Sequence, residues 1–121
     1  MKISIRYQDD VVIVSLNGKF AASADGPSLR KKTQELFDSG IKKMILDFTG
    51  VPYIDSTGLG FLAASRTAAE KAQAQMVLCG IAPPLKQILD RVQMAQFFPV
   101  VRDEAAALAR LAAPAGEPKK S

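Results

Sequence analysis

A chain of 121 residues with 48% hydrophobic and 23% charged side chains has the size and composition of one soluble globular domain. With no histidine and a single cysteine, Cys79, it lacks the parts of a His/Cys zinc site, a Ser-His-Asp triad, a Cys-His pair or a disulfide framework. The net charge of +4 is dispersed over Arg30-Lys31-Lys32, Lys42-Lys43 and Lys119-Lys120 with few aromatics beside them, a solvated face rather than a nucleic-acid footprint.

Ile3, Ile5 and Tyr7 alternate with Ser4 and Arg6, the period of a half-exposed strand, and Asp9-Asp10 supplies a turn into the apolar run Val11 to Leu16. That second run is nearly continuous, as expected of a strand covered on both faces, and Asn17-Gly18 ends it. Asp25-Gly26-Pro27 opens a helix with Leu29, Leu36 and Phe37 on one stripe and Gly40 as its stop. Met44 to Phe48 reads as a central strand, and a second helix is expected from about Thr57 to Ala74. Met76 to Cys79 repeats the short buried-strand pattern. Gly80 and Pro83-Pro84 then lead into a third helix carrying Leu85, Ile88, Leu89 and Val92. Phe97 to Val101 is expected as a short edge strand, and Asp103 as the cap of a last helix carrying Leu108 and Leu111. Residues 113–121 form a Pro/Gly/Lys tail expected to be disordered, leaving residues 1–112 as the domain.

Strands alternating with helices after an initial antiparallel hairpin define an α/β class: a mixed, mostly parallel sheet with about four helices. No apolar run approaches the ~18 residues of a membrane span, and Met1 to Ser4 lacks the apolar stretch of a secretory signal, so the expected location is the cytoplasm. The acidic residues cluster only at Asp9-Asp10 and Asp103-Glu104, which look like turns or caps, so neither a carboxylate metal site nor a paired-carboxylate glycosidase is expected. In open sheets of this kind functional groups gather in loops outside the carboxyl ends of the strands. The segment between Phe48 and Thr57 occupies such a place.

Asp55-Ser56-Thr57-Gly58-Leu59-Gly60 sets three cap-competent side chains before a helix and two glycines in its first turns. A plain helix cap accounts for the carboxylate and hydroxyls. The glycines need more, since each costs about 1 kcal/mol against alanine in a helix interior, an expense that fits close approach by another backbone or a ligand. A dinucleotide is one candidate, because Gly58-Leu59-Gly60-Phe61-Leu62-Ala63 fits G-x-G-x-x-[GA]. The match is poor: the next strand is followed by Gly80-Ile81 rather than a ribose-binding acid, and the turn before the first glycine is too long. A P-loop lacks its Gly-Lys-Ser/Thr. Leu59, Phe61 and Leu62 point to different sides of the helix, so at least one is expected outside the core. Cys79 ends a buried strand and reads as packing rather than a thiol sensor.

A protein partner remains, and here Asp55-Ser56-Thr57-Gly58-Leu59-Gly60, preceded by Met44 to Ile54, closely resembles the signature of STAS domains (sulfate transporter and anti-sigma factor antagonist), specifically the stand-alone bacterial antagonists. The likeness runs from Ile3 to about Leu111 and includes Gly18, Leu29-Arg30 and the Met76 to Gly80 strand followed by Leu85. The resemblance implies a non-enzymatic partner switch without metal or cofactor. In this reading Ser56 is phosphorylated by an anti-sigma factor that is also a serine kinase, with Thr57 as the competing acceptor, and a PP2C-type phosphatase resets it. Unphosphorylated, the chain binds the anti-sigma factor and frees the sigma factor for transcription. The contact residues implied are Asp55, Ser56, Thr57, Gly58, Leu59, Gly60 and Phe61, with Asp25 beside them.

The sequence departs from that pattern at Ala21, where many kinase-regulated antagonists carry an acid, and the stretch Lys19 to Asp25 is about a residue longer than usual. Asp25 is the candidate substitute. The alternative is a STAS module working as an unphosphorylated interaction subunit of a lipid-transport ABC complex or a stressosome-like assembly. Small-molecule or nucleotide binding by the domain itself is a third class.

Overall fold

The computed structural model describes residues 2–18, 22–52, 54, 56–91 and 99–112; the side chains of 22–26, 56–58, 61, 84 and 88 lie outside that description. Two strands, β1 (Lys2–Gln8) and β2 (Val11–Asn17), form the predicted hairpin around Asp9-Asp10, with Asp9 at φ +56 in the turn. Helix α1 (Ala22–Asp38) leads to β3 (Lys43–Gly50), helix α2 (Ser56–Lys71) to β4 (Gln75–Cys79), and helix α3 (Pro83–Arg91) follows. A two-residue strand β5 (Val100–Val101) and helix α4 (Glu104–Leu111) complete the order. The sheet order is β1-β2-β3-β4-β5, antiparallel between β1 and β2 and parallel across the rest. The mixed α/β architecture with four helices is therefore the one expected.

Alternation within each strand builds two cores. Val12, Val14 and Leu16 of β2, Met44, Leu46 and Phe48 of β3, and Met76 and Leu78 of β4 face α1, α2 and α3, meeting Leu29, Phe37, Leu62 and Leu89 there. Val11, Ile13, Ile45, Val77 and Cys79 face the other way, under Ala107 and Leu111 of α4. Strands covered on both faces favour apolar residues at most positions, which is why β2 and the first half of β3 read as nearly continuous runs. Each such side chain buried is worth about 2 kcal/mol.

Helix boundaries follow local chemistry. Gly40 at φ +102 ends α1, donating to the Phe37 carbonyl while Ile41 donates to that of Leu36. Asp103 caps α4 as predicted, its carboxylate accepting the Ala106 N–H at 2.9 Å. Helix α1 begins earlier than the expected start at Asp25, so that Pro27 lies inside it. Pro27 forfeits one bond to the carbonyl four residues back, and the alanines at 22 and 24, strong helix formers, carry the helix upstream of it. The predicted strand from Phe97 reduces to Val100–Val101 in the described residues. Residues 92–98, including Val92 and Phe97, and the tail 113–121 fall outside them.

Gly80 is the glycine that the interior demands. It sits at φ +71, and a Cβ there would lie 2.7 Å from Asp47 Oδ1, 2.9 Å from the Thr49 nitrogen and closer still to Thr49 Oγ1. Asp47 cannot yield, since it accepts the Thr49 N–H at 2.9 Å and the Thr49 hydroxyl at 2.6 Å. Gly80→Ala is expected to cost about 3 kcal/mol through overpacking and left-handed strain, measured as a lower urea midpoint with an unchanged m-value.

Candidate functional site

The segment between β3 and α2 is pinned from inside. Val51 and Ile54 are both 2% exposed, and the Val51 N–H donates to the Phe48 carbonyl at 2.9 Å. These apolar anchors set where the chain can turn, so α2 starts at the C-terminal rim of the sheet. The ends of β2 and β3 are locked together there: Gly18 N–H donates to the Gly50 carbonyl at 2.8 Å. Asn17 packs so closely that a Cβ on Gly50 would lie 2.7 Å from Asn17 Oδ1. Both α1 and α2 leave this rim from adjacent parallel strands and cover the same face of the sheet. The start of α1, with Asp25, and the start of α2, with Ser56, therefore share one rim.

Helix α2 buries Leu59, Leu62, Ser65 and Ala69 and exposes Gly60, Ala63 and Thr67. Both Leu59 and Leu62 join the main core; of the three apolar residues expected to diverge, Phe61 has its side chain outside the described set. Leu59, 8% exposed, is thus a packing residue of the helix start and not an outward contact. Sequence spacing missed this because the i, i+3, i+10 stripe that buries Leu59 is completed by the small residue Ala69 rather than by another large one.

Position 56 opens α2 one helical turn before the exposed Gly60. The side chains of Ser56, Thr57 and Gly58 lie outside the described set, as does all of Asp55. Helix α2 has no acidic residue in its first turn, so the positive end of its dipole is not neutralised by the helix itself. Gly60 has no atom within 4 Å of the place a Cβ would occupy and needs no positive φ. Nothing within the described chain requires glycine there.

Behind the rim, Asp47, Thr49 and Gly80 form a tight corner that sequence reading did not single out; the Asp-x-Thr spacing at a strand end, which lets a carboxylate accept two residues on, was its signal. Cys79 is fully buried beside it. Burial pushes the Cys79 thiol up to about 12, with the nearby Asp47 carboxylate and then Glu104 and Asp103 adding to the rise. The unfolded thiol ionises near 9, so raising the pH from there toward 12 favours the unfolded chain, while below that window the group adds no pH dependence. Among the described residues no group of three or more acidic or cysteine side chains is arranged to hold a metal ion, and no helix is long and apolar enough to cross a membrane.

The STAS domain model matches residues 2–107, and the chain belongs to the STAS domain family. BtrV of Bordetella bronchiseptica, whose name assigns it to the anti-sigma factor antagonists, is 28% identical over 109 residues, spanning 90% of this chain and 93% of its own. The unphosphorylated form of the anti-sigma factor antagonist SpoIIAA superposes with a TM-score of 0.72 at 18% identity, over 93% of this chain and 100% of its own. The phosphorylated form of the Bacillus SpoIIAA gives 0.70 at 17% identity, over 91% and 99%. The structural likenesses show the shared fold.

Two outcomes follow from the site's packing. Gly60→Ala should stabilise the protein by about 0.5–1 kcal/mol, read from urea unfolding, because it removes a glycine from a helix interior with room for the methyl group. Cys79 should resist iodoacetamide at about pH 8 in the native protein and react once the chain is unfolded, as mass spectrometry will show.

Proposed function

We propose that this chain is an anti-sigma factor antagonist that works as a partner switch, with Ser56 as the residue whose phosphorylation decides binding. One observation carries the reading: α2 opens with Ser56-Thr57-Gly58-Leu59-Gly60 at the sheet rim of a STAS domain, Ser56 lying one turn before the open Gly60. The name of the Bordetella relative supports the same role. The partner is an anti-sigma factor with serine kinase activity, a PP2C-type phosphatase reverses the modification, and the chain itself catalyses nothing. Its place of work is the cytoplasm, where sigma factors act.

The physics of the switch is a change of docking without a change of fold. A phosphate brings about −1.5 to −2 charge, and the N-terminus of α2 accommodates it. A partner shaped around a neutral hydroxyl and a bare glycine meets bulk and charge instead. A penalty of ~3 kcal/mol weakens binding about a hundredfold. Contacts run over Asp25, Asp55, Ser56, Thr57, Gly58, Gly60 and Phe61. Leu59 contributes by holding the helix start against the core.

Incubation with the cognate kinase and ATP, followed by peptide mass spectrometry, should place the phosphate on Ser56 rather than Thr57. Ser56→Asp should lose about a hundredfold or more in affinity for the anti-sigma factor, while Ser56→Ala keeps binding apart from a capping loss of about 1 kcal/mol in stability. Equal binding by the two variants rejects the switch. That result would favour the unphosphorylated interaction subunit, to which Ala21 also points. Gly60→Ala, more stable than the parent, should nonetheless bind more weakly, since its methyl group occupies the space the partner's backbone uses.

A further inference from the structure

The hairpin leaves β1 at the edge of the sheet, seven residues long and paired on one side by an unbroken register from Lys2↔Asn17 to Gln8↔Val11. Among the described residues no strand meets its outer side. Edge strands are usually protected by shortness, charged side chains, proline, a bulge or a covering element; β1 carries the charges Lys2 and Arg6, the latter paired with Glu104. The run Lys2–Gln8 contains no proline, and its register with β2 has no bulge. We propose that this edge pairs with the β1 edge of a second copy of the chain, antiparallel about a two-fold axis at Ile5, to make one continuous sheet.

The register follows from the turn. A two-residue loop, Asp9-Asp10, must close on a pair that exchanges both backbone bonds, and bonded and non-bonded pairs alternate from there. Gln8, Arg6, Ser4 and Lys2 therefore direct their backbone groups to β2, and Ile3, Ile5 and Tyr7 direct theirs outward. With the axis at Ile5, Ile5 faces its own copy and Ile3 faces Tyr7, each pair exchanging both bonds. The same register sets Ser4 opposite Arg6 and Lys2 opposite Gln8, so no like charges oppose each other directly. A slip of two residues in one direction sets Lys2 against Arg6, and in the other Arg6 against Arg6. The charge pattern of β1 thus selects one pairing.

Side-chain chemistry agrees. Ile3 and Ile5 are partly buried against the main core, whereas Tyr7 on the same face is 62% exposed, the one large apolar side chain so exposed among the described residues. In the pair Tyr7 is covered by Ile3 of the second copy. Arg6, the charged residue nearest the axis, is already held by Glu104 of α4 through both guanidinium nitrogens. Two such edges meet over roughly 24 Å and bury well below the ~1,000 Å² of a stable interface, so the association is weak and reversible, with a dissociation constant of about 0.1–1 mM. The start of α2 lies at the end of β3, two strands from β1, so a pair presents two free switch sites; the inference stands apart from the switch reading.

Amide hydrogen exchange of the whole chain at about 20 µM and about 1 mM, with sedimentation of the same samples, tests it. Exchange at Ile3, Ile5 and Tyr7 should slow roughly two- to fourfold at the higher concentration while Ser4 and Arg6, bonded to β2 throughout, stay constant, and the mass should rise toward two chains. Tyr7→Pro removes an outward N–H and an exposed side chain and leaves the inner ladder intact. Ser4→Lys leaves the backbone unchanged and sets a lysine opposite Arg6. Both should abolish the concentration dependence with native stability retained to within about 1 kcal/mol. A monomer at the higher concentration, or a dimer indifferent to both variants, overturns the proposal. Equal protection of the three amides at both concentrations also overturns it, since the chain's own residues, 113–121 among them, would then cover the edge.

Discussion

Strand β3 is buried on both faces, and the placement of everything at the rim depends on how its end is anchored. Met44, Leu46 and Phe48 point into one core and Ile45 into the other. Asp47 and Thr49, the polar residues on the second face, bond to each other: the Asp47 carboxylate accepts both the Thr49 N–H and its hydroxyl. Val51 and Ile54 then return the chain to the core on either side of the exposed Pro52. Without that double anchor α2 would have no defined start. On the switch reading, the acceptor needs a defined helix start more than it needs a pocket, because a partner would recognise a surface.

Gly60 and Gly80 stand in opposite surroundings. At Gly80 the chain's own atoms fill the space a side chain would take, and a positive φ adds to the demand. At Gly60 the space is empty and the backbone ordinary. A helix that carries a glycine with no internal cause is less stable than it needs to be, by about 1 kcal/mol. Stability thus gives way to access at the same helix turn that the switch reading assigns to the partner, and proteins commonly accept such a cost at functional sites.

The sheet separates two kinds of surface. Its C-terminal rim, where β2, β3 and β4 end, carries the loops and helix starts; its β1 edge meets no further strand among the described residues. In the two proposals, charge and docking geometry govern the first and strand register the second. Because the two lie two strands apart in the sheet order, association at one leaves the other open. Buried Cys79 belongs to neither, since a thiol held protonated to about 12 has little thiolate to react with at physiological pH.

The architecture was legible from residue pattern: short, largely apolar runs marked β2, β3 and β4, and Gly40 and Asp103 marked helix ends. Local periodicity and turn chemistry suffice for these because each depends on neighbours within a few residues. The early start of α1 ahead of Pro27, the assignment of Leu59 to the core, and the Asp47–Thr49–Gly80 corner were decided only by the tertiary structure. So was the difference between Gly60 and Gly80. Each of these turns on which atoms from distant parts of the chain arrive in the same space, and spacing along one segment carries no information about that.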